Sequence, residues 1–163
     1  RPDLVATWAA DIVGIIHPDY QWHDAAQAWQ TPDVGEQVID AMVAMTLDER
    51  TAAFGGLGLP DNVLAKIAGG VNAEMGRCIL GLYRDATQPA TAQLGERLTG
   101  VGLPPGLGII ATADSYVPAE LCIAATSTLG AAELRLEGLG HWWMVEDPDQ
   151  AADGLVDFWA RSA

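Results

Sequence analysis

Apolar residues fall along this chain in three rhythms. Leu4-Val5-Ala6-Thr7-Trp8-Ala9-Ala10 is a short apolar run closed by Asp11, and it predicts a buried strand. Residues 15–33 gather Pro18, Tyr20, Trp22, His23, Trp29 and Pro32 with little period; they read as an aromatic-rich connector with a helical turn or two. From Thr31 the pattern turns helical. Thr31 is expected to cap a helix with Pro32 in its first position, where a missing N–H costs nothing. Its apolar stripe is Val34, Val38, Met42 and Met45. Thr46-Leu47-Asp48-Glu49 has the form of a capping box at a new helix start, and Gly55-Gly56-Leu57-Gly58-Leu59-Pro60 ends that helix. Asp61 is expected to cap the next, whose stripe runs through Leu64, Ile67, Ala68, Val71, Met75, Ile79 and Leu82. Gly69-Gly70 is placed to break it in two.

The last third alternates strands with helices. Residues 91–99 suit a helix, and a Gly- and Pro-rich turn follows from Gly100 to Gly106. Leu107 to Ala113 is apolar throughout, as in a strand buried on both faces. Residues 118–128 fit a helix, and Ala132-Glu133-Leu134-Arg135-Leu136-Glu137 alternates like a strand with one solvated face. Asp147-Pro148-Asp149-Gln150 supplies a cap, a first-position proline and a cap partner for a final helix. The face expected to be buried there is Ala152, Leu155, Val156 and Trp159. Strand, helix, strand, helix at this spacing implies a parallel sheet covered by helices, the α/β class.

Composition narrows the possible partners. The 163 residues suit one domain, and 50% hydrophobic content supports a sizeable core. Eight Lys and Arg against 22 Asp and Glu give a net charge of −14. Lys66 is the only lysine and the arginines are scattered, so neither nucleic acid nor an anionic membrane is an expected partner. No run of 18 apolar residues suggests a membrane span, no signal-peptide pattern opens the chain, and a cytoplasmic location is expected. Cys78 and Cys122 stand apart from any metal-type cluster and read as reduced, buried thiols. The chain opens Arg-Pro-Asp with no methionine, which implies an upstream segment.

Candidate chemistry concentrates at two strand ends. In an open parallel sheet, ligands meet the carboxyl ends of the strands. Asp114 follows one expected strand and His141 stands a short turn after the next. A carboxylate beside an imidazole fixes its tautomer and stabilises its protonated form, as a general base requires. Taken singly, each residue reads better as an ordinary loop aspartate or surface histidine; it is the pair that points to catalysis. His17, Asp19, His23 and Asp24 form a second polar group. Its spacing matches no helical metal motif, so a packing role is preferred and neither metal nor cofactor is expected.

The stretch from Gly106 to Trp159 resembles the C-terminal end of an α/β-hydrolase. In that family a strand ends in the triad acid, and a Gly-His segment precedes a last helix opened by Asp-Pro. The counterparts here are Ile109-Ile110-Ala111-Thr112-Ala113-Asp114 and Leu139-Gly140-His141 through Asp147-Pro148. The resemblance implies a core strand in residues 1–14, a helical cap in 15–88, and the C-terminal part of the core in 89–163. It makes Asp114 and His141 the triad acid and histidine. Trp22, His23, Trp29 and Trp142 become candidates for lining an apolar substrate pocket, with cap-domain core as the other reading of the cap residues.

One part of the family pattern is missing. The nucleophile lies in G-x-S-x-G on a sharp strand-to-helix turn, yet the serines here are Ser115, Ser127 and Ser162, none in that context. An aspartate elbow is missing too. The resemblance therefore implies the C-terminal portion of a hydrolase for a small-molecule ester or related electrophile, with the nucleophile on an N-terminal fragment or second chain. Other readings stay open: a non-catalytic binding or assembly module, or a cofactor-free His–Asp oxygenase or haloperoxidase of the same fold. A sheet of three strands would also leave a long unpaired edge.

Overall fold

The apolar run expected as a doubly covered strand, now Gly106–Ala111, is buried at every position and lies in the middle of a three-stranded parallel sheet. The computed structural model describes residues 2–162. In chain order, β1 (Trp8–Asp11) is followed by α1 (Asp24–Gln30), α2 (Val34–Ala44), α3 (Leu47–Phe54), α4 (Asp61–Gly70), α5 (Ala73–Asp85) and α6 (Ala90–Leu98). Then come β2 (Gly106–Ala111), α7 (Ala119–Thr128), β3 (Ala132–Leu136), the short α8 (Trp143–Glu146) and α9 (Pro148–Ser162). Two compact units result, residues 1–21 with 88–163, and residues 22–87. Residues 15–21 thus share the unit of the sheet, where the 3-10 turn Val13–Ile16 packs on α7.

In the first unit the strand order is β1-β2-β3, with Trp8 opposite Gly106 and Leu107 opposite Ala132. β2 buries both faces because helices lie on each side. Leu107 and Ile109 join Leu136, Ala151 and Phe158 in one cluster against α9. Gly108 turns the other way, and a Cβ there would fall 2.2 Å from the Thr126 hydroxyl of α7. Only glycine lets that helix approach so closely. Ile110 and Leu136 are fully buried, each worth about 1.5–3 kcal/mol against exposure.

The first strand is shorter than expected. Leu4 and Val5 lie before β1 and are 70% and 45% exposed. On α9 the buried positions are Ala151 and Phe158, while Val156 and Trp159 are exposed and Ala152 faces out. The expected face is rotated because Gly154 sits tightly on Leu134 of β3 and fixes which stripe turns inward. The final cap is as expected, with Asp147 Oδ1 accepting from the Gln150 N–H at 3.1 Å.

The second unit packs small residues between helices. Gly76 of α5 meets Ile39 of α2, where a Cβ would lie 2.3 Å from Ile39 Cγ2. The inward residues of α2 are Gly35 and Ile39, with Val34, Val38 and Met45 exposed. On α5, Gly76 is buried while Met75 and Leu82 are exposed, so the expected stripes hold only in α4, through Leu64 and Ala68. Thr31 does not open α2. Its hydroxyl bonds back to the Gln27 carbonyl and closes α1, and α2 begins after Asp33 at φ 66°. Asp61 is the first residue of α4, inside the helix, and the cap position falls to Pro60. The capping box is complete: the Thr46 hydroxyl accepts from the Glu49 N–H and the Glu49 carboxylate accepts from the Thr46 N–H. The break after Gly69-Gly70 falls at Val71-Asn72, where the Asn72 side chain caps α5.

Candidate active site

Asp114 and His141 meet because the segments after β2 and β3 are tied together by their backbones. The Thr112 N–H donates to the Leu136 carbonyl at 3.2 Å, and the Ala113 N–H donates to the Leu139 carbonyl at 2.9 Å. Gly138, at φ 76°, turns the chain so that its N–H reaches the Thr112 hydroxyl at 2.8 Å. A side chain there would strain the turn. These ties bring the two loops out side by side at the carboxyl edge of the sheet.

Each oxygen of Asp114 then has its own task. Oδ1 accepts from the Tyr116 and Val117 N–H groups at 2.7 and 3.2 Å. That leaves Oδ2 to face His141 Nδ1 at 2.9 Å. The Asp114 side chain is 5% exposed and that of His141 28%. Because a carboxylate only accepts, the neutral ring carries its proton on Nδ1 and leaves the Nε2 lone pair bare. Tyr116 and Trp142 flank the imidazole, with ring centroids 4.7 and 5.2 Å away.

The charges support one another. The Asp114 hydrogen bond raises the His141 pKa above the ordinary imidazole value, against a smaller opposing effect of burial, and the charges of Asp114 and Asp11 add to the rise. For Asp114, burial pushes upward, yet the bonds from His141 and from the Tyr116 and Val117 backbones together hold its carboxyl below the usual range. The pair is therefore built to hold an imidazolium beside a carboxylate.

Sequence reasoning named this pair and Trp142 beside it, and missed the parts played by Asp11 and Tyr116. Asp11, at the end of β1, accepts from the Trp143 indole N–H at 3.3 Å. Its position closing an apolar run was the available signal. Tyr116, two residues beyond the acid, offered none. Cys122 is buried in α7 and burial pushes its thiol up, the wrong direction for a nucleophile. Cys78 is exposed, contrary to the expected burial of both thiols.

The other aromatic candidates are in the second unit and bind one another. Trp22 donates from its indole to the Ala86 carbonyl at 2.8 Å and meets Tyr83 edge-on. His23 caps α1 through Nδ1, which accepts the Ala26 N–H at 3.3 Å. Trp29 packs on Tyr83 with centroids 4.8 Å apart. His17 lies beside Asp19 at 3.9 Å, and no metal-binding group of three or more such side chains exists among the described residues. No helix among the described residues is long and apolar enough to cross a membrane.

No protein-family model and no curated protein matches this chain. Solved structures do. An esterase from Thermogutta terrifontis aligns over 99% of this chain and 58% of its own, with a TM-score of 0.66 at 14% identity. A protein from Mycobacterium tuberculosis, assigned as a non-heme bromoperoxidase, aligns over 99% and 60%, with 0.63 at 16% identity. A hydrolase from Pseudomonas aeruginosa aligns over 93% and 54%, with 0.59 at 18% identity. The chain has the fold of part of an α/β-hydrolase, consistent with the C-terminal part, and it spans little more than half the length of the structures it resembles.

Proposed function

We propose that this chain supplies the histidine and the acid of an α/β-hydrolase active site, acting on a small-molecule ester or related electrophile. The observation that carries the reading is the Asp114–His141 pair at 2.9 Å, at the carboxyl ends of adjacent parallel strands. In this role Nε2 of His141 takes the proton of an attacking hydroxyl, and Asp114 steadies the imidazolium that forms. Tyr116 and Trp142 restrict the ring from two sides. The helical unit, inserted in the chain between β1 and β2, takes the role of the cap.

The attacking hydroxyl comes from elsewhere. Ser115 directly follows the acid, and Ser127 and Ser162 lie in helices or at their ends. We assign the nucleophile to an N-terminal segment or second chain. Among the described residues β1 pairs with β2 alone, so an added strand beside it would satisfy its outer backbone groups. The exposed Leu4 and Val5 offer apolar surface nearby in sequence.

The test is a fluorophosphonate reagent applied to the purified protein, followed by intact mass and N-terminal sequencing. The expected result is a co-purifying segment of about 100–130 residues that carries the label, while this chain carries none. Asp114→Asn should cut ester hydrolysis by the assembly by a factor on the order of 10⁴. Label on this chain overturns the assignment of the nucleophile. A monodisperse, unlabelled chain with no partner overturns the hydrolase reading and favours a binding module.

A further inference from the structure

Asp11 lies behind the pair just described, and the assigned roles make no use of it. We propose that Asp11 is a positioning residue for His141: it anchors, through the Trp143 indole, the segment that carries the imidazole, and sets a second carboxylate behind the Asp114–His141 pair. The inference rests on the hydrolase reading and adds to it a residue on a third strand end.

Four observations converge. First, the bond from Trp143 Nε1 to Asp11 Oδ2, 3.3 Å long, joins residues 132 positions apart. It ties the His141 loop to β1, just as the Thr112 and Ala113 bonds tie it to β2. Second, Trp143 is itself held to that loop, because its N–H donates to the Gly140 carbonyl at 3.1 Å. The indole is therefore a lever acting on residues 140–143. Third, Asp11, Asp114, Cys122 and Trp143 line one small cavity of about 10 Å³. That volume is about enough for one water, and both carboxylates lie on its wall. Fourth, Ile12 follows Asp11 at φ 45° and ψ 26°. A left-handed conformation strains an L-residue, and a β-branched one is rarely found there. Such strain persists where the surroundings over-determine the geometry, and here it turns the chain away directly after the carboxylate.

The consequence is a division of work between two acids. Asp114 binds the ring directly and fixes its tautomer. Asp11 holds the loop and adds negative charge on the same side, which favours the protonated imidazole. Against the ring stand Asp114 and Tyr116, and the charge of Asp11 also acts on it; the raised thiol of Cys122 lines the cavity beside the two carboxylates. The nearby Glu146 carboxylate is engaged by the Gly140 N–H at 2.8 Å.

The experiment is a histidine NMR titration of the purified protein together with any segment that accompanies it. The chain has three histidines, so signals are assigned by substitution. Two variants separate charge from tether. Asp11→Asn keeps an oxygen acceptor for the indole and loses the charge. Trp143→Phe keeps the charge and loses the donor. Asp11→Asn is expected to lower the His141 pKa, by less than Asp114→Asn does. Trp143→Phe is expected to speed exchange of the Nδ1–H proton and broaden its signal. An unchanged pKa in Asp11→Asn together with unchanged exchange in Trp143→Phe overturns the inference, provided Asp114→Asn still lowers the pKa. If Asp114→Asn leaves the titration unmoved, the hydrolase reading fails first.

Discussion

The two units of this molecule use their interiors differently. Around the sheet, large apolar side chains such as Ile110, Leu136 and Phe158 are buried together with small ones such as Ala111, Ala125 and Ala151. Hydrogen bonds between residues far apart in sequence then bring the strand ends together. In residues 22–87 the inward positions are often small, as at Ala26, Gly35, Ala68 and Gly76, and an aromatic group formed by Trp22, Trp29 and Tyr83 fills the remaining space. A bidentate pair between Arg84 and Glu36, at 2.8 and 2.7 Å, links α5 to α2. The difference teaches where accuracy is needed. The proposed general base would have to be held to within a fraction of an ångström, and stapled strand ends are suited to that. Helices packed through small residues need only close approach.

Substitutions can break this contrast or sharpen it, and the largest effect is expected at Leu136. Leu136→Ala should destabilise the sheet unit by about 2–5 kcal/mol, read as lost amide-exchange protection in β2 and β3. Protection in α2 and α5 should fall much less. Gly76→Val is the converse, forcing a side chain onto Ile39 at a cost of about 1–3 kcal/mol. Exchange should rise in α2 and α5 and stay nearly constant in β2. Equal losses in both units for either variant would make them a single cooperative body and erase the contrast. Thr46→Ala removes the capping box of α3 at about 1 kcal/mol, measured by local exchange in α3 and by a small loss of helical signal.

The finest discrimination comes from pH. The Arg84 hydrogen bond holds Glu36 down to about 2 from its ordinary 4.5. Its contribution to stability is complete above 4.5 and disappears as pH falls through about 2. Arg84→Gln should thus destabilise residues 22–87 near neutrality, and variant and parent should converge in strong acid. His141 behaves oppositely. Its folded pKa lies above 6.5, so its contribution is full below 6.5 and is lost as pH rises through the folded value. Denaturant midpoints of the sheet unit should decline slightly across that window, and Asp114→Asn should flatten the decline.

Much of the sheet unit was legible in the sequence because its signals were redundant. Leu107-Gly108-Ile109-Ile110 is too apolar for a surface element, and Asp147, Pro148 and Gln150 each occupy the position their chemistry favours. Asp114 and His141 could be paired before any coordinates, since each closes a strand of a parallel sheet. The helical unit, and α9 in the sheet unit, were less legible, for identifiable reasons. α9 and α5 each carry two apolar stripes, and only contact decides between them: Gly154 against Leu134, and Gly76 against Ile39. Thr31 is as good a terminator as an initiator, and its hydroxyl bond to Gln27 settles the matter. α1 begins at an unusual cap, the ring of His23. The Asp11–Trp143 bond was out of reach, because nothing local links residues so far apart.

The register of β1 on β2 pairs Trp8 with Gly106, and this order matters while the polypeptide is being made. At about 5–20 residues per second, a ribosome needs roughly 5–20 s to add the intervening length. For much of that interval, once enough chain has been added to push it out of the exit tunnel, β1 is without its neighbour. The helices of residues 22–87 close through contacts within their own span and can form while β1 waits. Of the three strands described, β1 is thus made first and waits longest for its neighbour β2, and a nascent chain in that condition is a natural client for a holding chaperone.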